Sequence, residues 1–423
     1  MKANIERTDK KRIVIVGGGL GGLELAFKLV DDDYQVVLVD KNNYHQFPPL
    51  IYQVASGGLE PSSISFPFRR LFQGRKDFFF RMAEVKSVDS AKKTINTTVG
   101  EIEYDYLVLA FGAKTNFFGN KDIEATTLPM KSVSEAMRLR NTILRNLELA
   151  LTEEDPARKQ ALMNIVVVGG GASGVEIAGA VAEMKKNIIA RDYPDLDSSQ
   201  MHIYLVNAGD RLLATMDPVS SKRAERDLKD LHVHIRQPQF ATEYKDGILK
   251  TSAGLEIPTQ TVIWVSGICA NTIEGFPAES IGHAGRFLTD RFCRVKGVKD
   301  VYAIGDVSLV EGDEEYPLGH PQLAQVAMQQ AKTVAKNFKA MLKGKEPKPF
   351  RYKNLGVMAT IGRNHAVAEI SGNKFGGFPA WVLWLVVHLR SILGVKNKTF
   401  ILINWIWNYI NYKQSLRLIL KAK

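Results

Sequence analysis

Two glycine-rich turns, each placed directly after an apolar strand, constrain this chain more than any other feature. The first turn follows the predicted strand Arg12–Val16 and places Gly17, Gly19 and Gly22 at G-x-G-x-x-G spacing. The first glycine allows a tight turn, the second lets a pyrophosphate approach the backbone, and the third lets helix pack closely on strand. Asp40 ends the next strand, 40 − 17 = 23 residues after Gly17. A carboxylate at about that spacing hydrogen-bonds a ribose 2′-hydroxyl.

The motif occurs a second time. The segment Asn164–Gly174 is again an apolar strand that runs into Gly169, Gly171 and Gly174 at the same spacing. The N-terminus of the helix that follows such a turn favours bound phosphates. Two such turns, each opening its own α/β unit, predict two bound dinucleotides.

Two polar residues follow the second turn. Glu176 lies in the first turns of the helix, where it is either a surface residue favoured by the helix dipole or a group that faces a bound nicotinamide. We favour the functional role. Asn207 occupies the position of the ribose acid, 207 − 169 = 38 residues after Gly169, because a polar insert lengthens the connection. Asparagine does not repel a 2′-phosphate and Arg211 is near it in sequence, so the choice between NADH and NADPH stays open.

Later segments complete the two predicted sites. The segment Lys41–Ala55 contains two adjacent prolines and predicts a loop over the first cofactor, with His45 either in the site or on the surface. Strands are predicted at Phe78–Val85, Tyr104–Gly112 and Val301–Asp306, and Gly267 ends a further strand near the second dinucleotide. The residues predicted to bind the first cofactor are Gly17, Gly19, Gly22, Asp40, Lys41, His45, Val85, Ala110, Gly112, Asp306 and Ala324. Those predicted to bind the second are Gly169, Gly171, Gly174, Glu176, Asn207 and Gly267.

Two helices and one linker are predicted between these motifs. Ser132–Leu151 starts with the capping-box pattern Ser-x-x-Glu and continues with apolar residues at helical spacing. The polar segment Thr152–Ala161 predicts a linker. Pro321–Ala340 predicts a helix with Gln325 and Gln329 near its start, which composition alone would assign to packing and solvation.

The C-terminal tail differs from the rest of the chain. The net charge is +11, and from Ser371 onward there are eight basic and no acidic residues, which leaves only 11 − 8 = +3 for the remainder. Ala380–Val387 is apolar but too short to span a bilayer, and Thr399–Leu420 is amphipathic. Its predicted polar stripe consists of Asn404, Asn408, Asn411 and Ser415. Four of the five tryptophans also lie in this tail, which is typical of an interfacial membrane helix, although a helix packed on the body or on a dimer partner is the alternative.

These motifs together resemble the type II NADH dehydrogenases, also called alternative NADH:quinone oxidoreductases, which are flavoproteins that bind two dinucleotides. The resemblance rests on VGGGLGG, NNYHQFPPLIYQVASGGL, YDYLVLAFGA, VGGGASGVEIAGA, VYAIGD, AQVAMQQA and the Trp-rich tail. It implies noncovalent FAD on the first motif and NADH on the second. It also implies that Ala324, Gln325 and Gln329 lie beside the flavin where quinone docks, and that Glu176 lies near the nicotinamide. The family usually has glutamate where this chain has Asn207.

We therefore predict an α/β fold with two Rossmann-like domains, similar to glutathione reductase, and a C-terminal amphipathic membrane anchor. The predicted domains are 1–135 and 271–345 for FAD, 136–270 for NAD(P)H and 346–423 for the membrane, with lipid contact through 376–423. The predicted function is NADH:quinone oxidoreduction without proton pumping, with Glu176, Gln325 and Gln329 as catalytic residues. The predicted protein is a homodimer on the cytoplasmic face of a bacterial inner membrane, with no metal and no nucleic acid.

Three alternatives stay open. A sulfide:quinone oxidoreductase would use separated cysteines, and Cys269 and Cys293 are the only two in the chain. A soluble flavoenzyme similar to ferredoxin reductases would not need the apolar tail. A basic flavoprotein that binds nucleic acid or membrane is the alternative from another class.

Overall fold

The computed structural model describes residues 3–30, 33–411 and 418–419. The strands are β1 (Lys11–Val16), β2 (Tyr34–Asp40), β3 (Tyr44–Gln46), β4 (Ser65–Pro67), β5 (Phe78–Met82), β6 (Val85–Asp89), β7 (Thr94–Thr97), β8 (Gly100–Glu103), β9 (Tyr106–Leu109), β10 (Ala113–Thr115), β11 (Leu128–Pro129), β12 (Ile165–Val168), β13 (Ile203–Val206), β14 (Val233–Arg236), β15 (Ala241–Lys245), β16 (Ile248–Thr251), β17 (Glu256–Pro258), β18 (Thr261–Trp264), β19 (Ile268–Ala270), β20 (Phe287–Thr289), β21 (Val301–Ala303), β22 (Ser308–Val310), β23 (Val357–Gly362), β24 (His365–Ile370) and β25 (Asn373–Gly376). The α-helices are α1 (Leu20–Leu29), α2 (Ile51–Ala55), α3 (Phe68–Leu71), α4 (Lys121–Thr126), α5 (Val133–Thr152), α6 (Pro156–Met163), α7 (Ala172–Met184), α8 (Ala190–Asp192), α9 (Pro218–Asp230), α10 (Ala324–Leu342), α11 (Phe378–Ser391) and α12 (Val395–Asn411).

These elements form two compact units. The first unit contains the segments Met1–Gln46, Phe66–Lys114 and Ile268–Asn354, and the second contains Phe47–Ser65, Thr115–Gly267 and Leu355–Lys423. Each unit carries one of the two glycine-rich turns, so each turn has its own sheet and its own core.

The first unit is built on a five-stranded sheet in the order β21-β9-β1-β2-β5. All four pairings in it are parallel. Its central strands read as continuous apolar runs, such as IVIV in β1, because both faces of a parallel sheet are covered. The turn after β1 therefore opens at the carboxyl edge of the sheet, where ligands of such folds bind.

The second unit repeats this plan. Its sheet has the order β11-β18-β12-β13-β14, and all its pairings are parallel. Strand β12 is fully buried and leads directly into the second glycine-rich turn. The predicted α/β fold with two Rossmann-like sheets is confirmed.

Helix α5 confirms the predicted capping box. The Ser132 hydroxyl accepts a hydrogen bond from the Glu135 backbone N–H at 3.2 Å, and a Glu135 carboxylate oxygen accepts one from the Ser132 backbone N–H at 2.8 Å. The predicted linker after this helix is wrong, because α6 begins within it at Pro156. Asp155 caps α6 through the Ala157 N–H, and proline at the first helical position lacks only a donor that would be unpaired anyway.

Other predicted elements also differ from the structure, and the predicted strands Tyr104–Gly112 and Val301–Asp306 are shorter, at Tyr106–Leu109 and Val301–Ala303. The segment Lys41–Ala55 is not a plain loop, because Pro48 starts a 3₁₀ turn that continues into α2. Phe78–Val85 is not one strand: the Ala83 N–H donates to the Asp40 carbonyl at 2.8 Å, and Val85 begins β6 in a separate antiparallel sheet. Helix α10 starts at Ala324 rather than at the predicted Pro321.

The C-terminal part of the second unit consists of a three-stranded antiparallel sheet, β23-β24-β25, followed by α11 and α12. Helix α12 begins at Val395, earlier than the predicted Thr399. The end of the predicted helix Thr399–Leu420 lies mainly outside the described residues, as do the side chain of Asn411 and Ser415. Among the described helices, none has both the length and the hydropathy needed to cross a bilayer.

Candidate functional site

Close backbone contacts shape the first glycine-rich turn, between β1 and α1. Gly17 has a φ of +100°, and a Cβ on it would lie 2.5 Å from the Ala110 carbonyl oxygen at the end of β9. A Cβ on Gly22 would lie 1.9 Å from the Gly17 carbonyl oxygen, so a larger residue would push the helix off the strand. A Cβ on Gly19, the residue that caps α1, would have its nearest neighbouring atom 3.9 Å away. The turn therefore leaves room for a phosphate at the helix N-terminus.

Asp40 is tied directly to this turn. One of its carboxylate oxygens accepts a hydrogen bond from the Gly18 backbone N–H at 2.6 Å, and the other accepts one from the Asn42 backbone N–H at 2.7 Å. Burial raises the pKa of Asp40, and these two bonds and the charge of Lys41 oppose the rise. The side chain of Lys41 itself is exposed. The carboxylate is held at the mouth of the turn, where the ribose acid of a dinucleotide site belongs.

His45 lies on the other side of the same turn. It is 2% exposed, and its Nδ1 is 2.9 Å from the Gly18 carbonyl oxygen. Burial lowers the pKa of His45 to about 4, so the ring is neutral and Nδ1 carries the proton that it donates. The predicted alternative of a surface histidine is wrong. Sequence reasoning misses Gly18 and Phe68, which pack so closely that a Cβ on Gly18 would overlap the Phe68 ring.

Two further predicted flavin residues lie around this sheet. Gly112 has a φ of +67°, and its carbonyl oxygen accepts a hydrogen bond from the Asn271 side chain at 3.2 Å. Val85 is the first residue of β6 and packs, half-buried, against the core of the first unit. These contacts hold both residues in the first unit. Contact of either residue with a flavin stays a prediction.

Asp306 and the start of α10 meet within the first unit. Asp306 lies in a 3₁₀ turn directly after β21, and its carbonyl oxygen accepts a hydrogen bond from the Gln322 side chain at 2.9 Å. The buried Gln330 carboxamide accepts a hydrogen bond from the Gly305 N–H at 2.6 Å, which fixes α10 against that turn. The sequence analysis does not predict a role for Gln330. The one feature of the sequence that could have indicated it is the presence of a third glutamine on this helix, after Gln325 and Gln329. Ala324 is exposed in the first turn of α10.

The two predicted glutamines of α10 have different surroundings. Gln325 is half-buried. The Gln329 carboxamide donates to the Lys353 carbonyl at 2.9 Å and accepts from the Lys353 N–H at 2.9 Å. Gln329 therefore holds the chain after α10 in place, and both ends of its amide are used for this.

The second glycine-rich turn has the same construction as the first. Gly169 has a φ of +122°, and a Cβ on it would lie 2.8 Å from the Val265 carbonyl oxygen. A Cβ on Gly174 would lie 1.7 Å from the Gly169 carbonyl oxygen, whereas one on Gly171, the cap of α7, would have no atom within 4 Å. The open space is again at the N-terminus of the helix.

Asn207 takes the position that Asp40 has in the first unit. Its side-chain oxygen accepts a hydrogen bond from the Gly170 N–H at 3.2 Å. Its side-chain nitrogen donates to the carbonyl oxygens of Gly209 and Arg211 at 3.0 and 3.1 Å. The guanidinium of Arg211 donates to the Met216 carbonyl oxygen at 2.6 Å, so Arg211 stabilises its own loop. Asparagine, unlike aspartate, can donate and accept here.

Two other residues predicted for the second dinucleotide lie in this unit. Gly267 has a φ of +80°, and its carbonyl oxygen accepts a hydrogen bond from the Asn116 N–H at 3.2 Å.

Glu176 is half-buried on α7 and lines a cavity that Tyr52, Thr360 and Trp384 also line. Burial raises the pKa of Glu176 to about 8, and the Thr360 backbone and the Trp384 side chain oppose the rise. The carboxyl therefore holds a proton near neutral pH.

The cysteines do not form a pair that suggests redox chemistry. Cys269 is partly exposed, and Cys293 is fully buried. Burial raises the pKa of the Cys293 thiol, which keeps it in the unreactive protonated form. Within the described residues, no group of three or more His, Cys, Asp or Glu side chains could hold a metal ion.

Comparison with known proteins identifies the family. Residues 11–331 match the pyridine nucleotide-disulphide oxidoreductase family model, and residues 354–412 match that of the NDH2 C-terminal domain. Two type II NADH:quinone oxidoreductases of Mycobacterium tuberculosis, NdhA and Ndh, are 32% and 33% identical, over 94% and 96% of this chain and 86% and 89% of their own length. This chain belongs to the type II NADH:quinone oxidoreductase family.

The fold of this type II NADH:quinone oxidoreductase matches solved structures. NDH2 from Plasmodium falciparum, solved in complex with NADH, superposes with a TM-score of 0.87 at 21% identity, covering 97% of this chain and 100% of that one. A sulfide:quinone oxidoreductase from Aquifex aeolicus gives 0.72 at 19% identity, covering 89% of this chain and 90% of that one. Both likenesses concern the fold. The predicted family is confirmed, and it favours the NADH-dependent enzyme over the sulfide-dependent alternative.

Proposed function

We propose that this chain catalyses the oxidation of NADH by a membrane quinone through bound FAD, without pumping protons. Membership of the type II NADH:quinone oxidoreductase family over nearly the whole chain carries this proposal. The two open glycine-rich turns, one in each unit, support it, because each leaves space for a phosphate at a helix N-terminus.

We assign noncovalent FAD to the first unit. The pyrophosphate would lie at Gly17 and Gly19, and Asp40 would accept a hydrogen bond from the ribose. Asp306 would bind the polyol chain. When bound, the flavin supplies the capacity to accept a hydride and to pass on two electrons. The neutral ring of His45 holds the turn in shape through the Gly18 carbonyl without adding a charge.

We assign NADH to the second unit. Its phosphates would lie at Gly169 and Gly171, and Asn207 would contact the ribose without repelling a 2′-phosphate. The predicted ranges are 1–135 and 271–345 for FAD, 136–270 for NADH and 346–423 for the membrane, whereas residues 47–65 and 115–135 lie in the second unit.

Glu176 is the proposed proton carrier. Reduction of a quinone by NADH consumes one proton from the medium, because the hydride brings two electrons and one proton while the quinone takes up two of each. A carboxyl whose pKa is about 8 can hold that proton at neutral pH and release it on demand. Gln325 would orient a quinone carbonyl, whereas Gln329 would act by holding the chain at Lys353.

Helix α12 supports contact with a lipid surface. Its polar side faces the rest of the second unit: the Asn408 side chain donates to the Gly58 carbonyl at 3.3 Å, and the Trp405 indole donates to Gln53 at 2.9 Å. The apolar side chains on the other side are exposed, and these are Phe400, Leu402, Ile403, Ile406, Trp407 and Ile410. An exposed apolar helix face next to basic residues is typical of interfacial membrane binding.

We therefore propose a peripheral protein on the cytoplasmic face of a bacterial inner membrane, bound to the bilayer through 376–423, and active as a homodimer. Replacement of Ile403 and Ile406 by serine should reduce sedimentation with anionic vesicles, because both side chains are more than half exposed. Replacement of Leu318 by serine, also an exposed apolar residue but on a loop of the first unit, is the matched control. Equal sedimentation of both variants would contradict membrane binding through α12.

The function itself is tested with purified protein, NADH and a short-chain quinone. Quinone-dependent NADH oxidation is expected, together with a yellow flavin spectrum and no pH gradient in sealed vesicles. NADH oxidation that requires no quinone, or quinone reduction that requires sulfide, would contradict the proposal.

A further inference from the structure

The second unit contains a cavity that reaches well beyond Glu176. The cavity has a volume of about 150 Å³. Helix α7 forms one wall with Glu176, Ala180 and Glu183, and residues of α2, β23, α11 and α12 form much of the others. All lining residues belong to the second unit.

Two carboxyl groups line this cavity from the same side. Glu176 and Glu183 are seven residues apart on α7, which is two helical turns, so they project from one face about 10 Å apart along the axis. Ala180 lies between them and also lines the cavity. Its small side chain leaves the path between the two carboxyl groups open.

Apolar surface, including the rings of Trp381, Trp384 and Trp405, makes up most of the cavity lining, but several polar side chains are present that can hold water. Gln53, Asn187 and Asn408 contribute carboxamides to its lining, and Ser56 contributes a hydroxyl. At about 30 Å³ per molecule, this volume accommodates about five waters. A chain of that length can bridge two carboxyl groups that are too far apart to exchange a proton directly.

Charged groups surround Glu183 from several elements. Its carboxylate accepts a hydrogen bond from the Arg363 backbone N–H in the turn between β23 and β24. Burial raises the pKa of Glu183, whereas the hydrogen bond from the Arg363 backbone and the nearby Arg363, His365 and Lys186 side chains oppose the rise. The guanidinium of Arg363 also stacks on the Tyr409 ring, 4.0 Å from its centroid, at the α12 end of the cavity.

We propose that Glu183 passes protons from the medium to Glu176 through water in this cavity. The inference rests on the proposed function, because it concerns the one proton that each turnover takes from the medium. NADH supplies both electrons and the other proton, so the relay moves protons only. Glu183 acts through Glu176 and is a positioning residue rather than a catalytic one.

Glu183 also has a purely structural task, because its carboxylate holds the turn at Arg363. Glu183→Gln separates the two roles, since the amide oxygen can still accept the Arg363 N–H but the side chain cannot carry a proton. Glu183→Asp keeps the proton on a shorter chain. Glu154→Gln is the matched control, because Glu154 is an exposed glutamate of the same unit before α6.

The test follows each half-reaction by flavin absorbance in anaerobic stopped flow. With Glu183→Gln, reduction by NADH is expected to stay within about two-fold of wild type, while reoxidation by a short-chain quinone slows by about ten-fold or more at pH 8 and by less at pH 6. Added formate or azide should restore much of the reoxidation rate by carrying the proton through the cavity. Glu183→Asp should lie between wild type and Glu183→Gln, and Glu154→Gln should match wild type.

A wild-type pH profile in Glu183→Gln, or a loss of both half-reactions without rescue, would show that Glu183 only holds the turn. If the glutamine variant fails to bind flavin, the pH profile and the formate response of Glu183→Asp decide the question in the same way. Failure of the wild-type protein to reduce quinone would instead overturn the proposed function.

Discussion

Asn207 accepts a hydrogen bond from the Gly170 N–H at 3.2 Å, in the same way that Asp40 accepts one from the Gly18 N–H at 2.6 Å. In each unit, the residue at the carboxyl end of the strand that pairs with the turn's own strand, β2 or β13, is tied to the middle one of three consecutive glycines. The two units differ at this point by one functional group. The first has a charged acceptor, and the second has a neutral amide that also donates.

This difference predicts weak discrimination between NADH and NADPH. Asn207→Asp should raise the preference for NADH, measured as the ratio of kcat/KM for the two nucleotides, by about ten-fold, or about 1.4 kcal/mol, because a carboxylate repels the 2′-phosphate. The variant also loses the donor to Gly209 and Arg211, so its free energy of unfolding should fall by about 1–3 kcal/mol. An unchanged ratio would mean that Asn207 does not face the ribose.

The two glycines that follow Gly169 in the motif predict opposite outcomes. Gly171→Ala should leave the melting temperature nearly unchanged, because its Cβ has no atom within 4 Å. It should still weaken NADH binding by about ten-fold, since the methyl group enters the space left for the phosphate. Gly174→Ala is the contrasting variant: its Cβ would lie 1.7 Å from the Gly169 carbonyl oxygen, so the unit should fail to fold. Unchanged NADH affinity in Gly171→Ala would contradict the assigned phosphate position.

The pKa of about 8 for Glu176 predicts a pH-dependent cost to stability. Because the folded state binds this proton more tightly than the unfolded state, stability is lost as the pH rises from the ordinary pKa of glutamate towards 8. Glu176→Gln stays neutral and avoids the loss, which is on the order of 5 kcal/mol. Relative to wild type, Glu176→Gln should therefore have a higher melting temperature at pH 9 than it has at pH 5. A difference that does not change with pH would contradict the raised pKa.

The cysteines give a prediction against sulfide chemistry. Iodoacetamide should modify the partly exposed Cys269 in the native protein and should reach the buried Cys293 only after unfolding. Cys269→Ser should keep NADH:quinone activity within about three-fold of wild type, because serine is close to cysteine in size and the side chain is partly exposed. Sulfide-dependent quinone reduction that disappears in Cys269→Ser would favour the alternative enzyme.

The sequence is sufficient for the parts of the fold that depend on local patterns. Apolar strands followed by glycine turns predict both parallel sheets, and the Ser132 capping box predicts the start of α5. Pro156 led to the wrong prediction of a linker, because proline is found both where helices break and at the first position of a helix. Only the cap from Asp155 indicates that a helix begins here.

The parts that the sequence could not provide depend on contacts between distant segments. The bond between Gln329 and Lys353 spans 24 residues, and the bond between Glu183 and Arg363 spans 180. The polar stripe of α12 indicates an amphipathic helix, but only the fold shows that Asn408 turns inward and leaves apolar side chains exposed. A periodic pattern predicts that a helix has two faces, but not which face is covered.

The most direct test of the central claim follows the flavin without oxygen. Purified yellow protein is mixed with NADH, and a short-chain quinone is added after the absorbance has fallen. Bleaching by NADH followed by full recovery with quinone is the expected result, and it would establish NADH as donor and quinone as acceptor. A flavin that neither NADH nor NADPH bleaches would contradict the assignment of the second glycine-rich turn to a hydride donor.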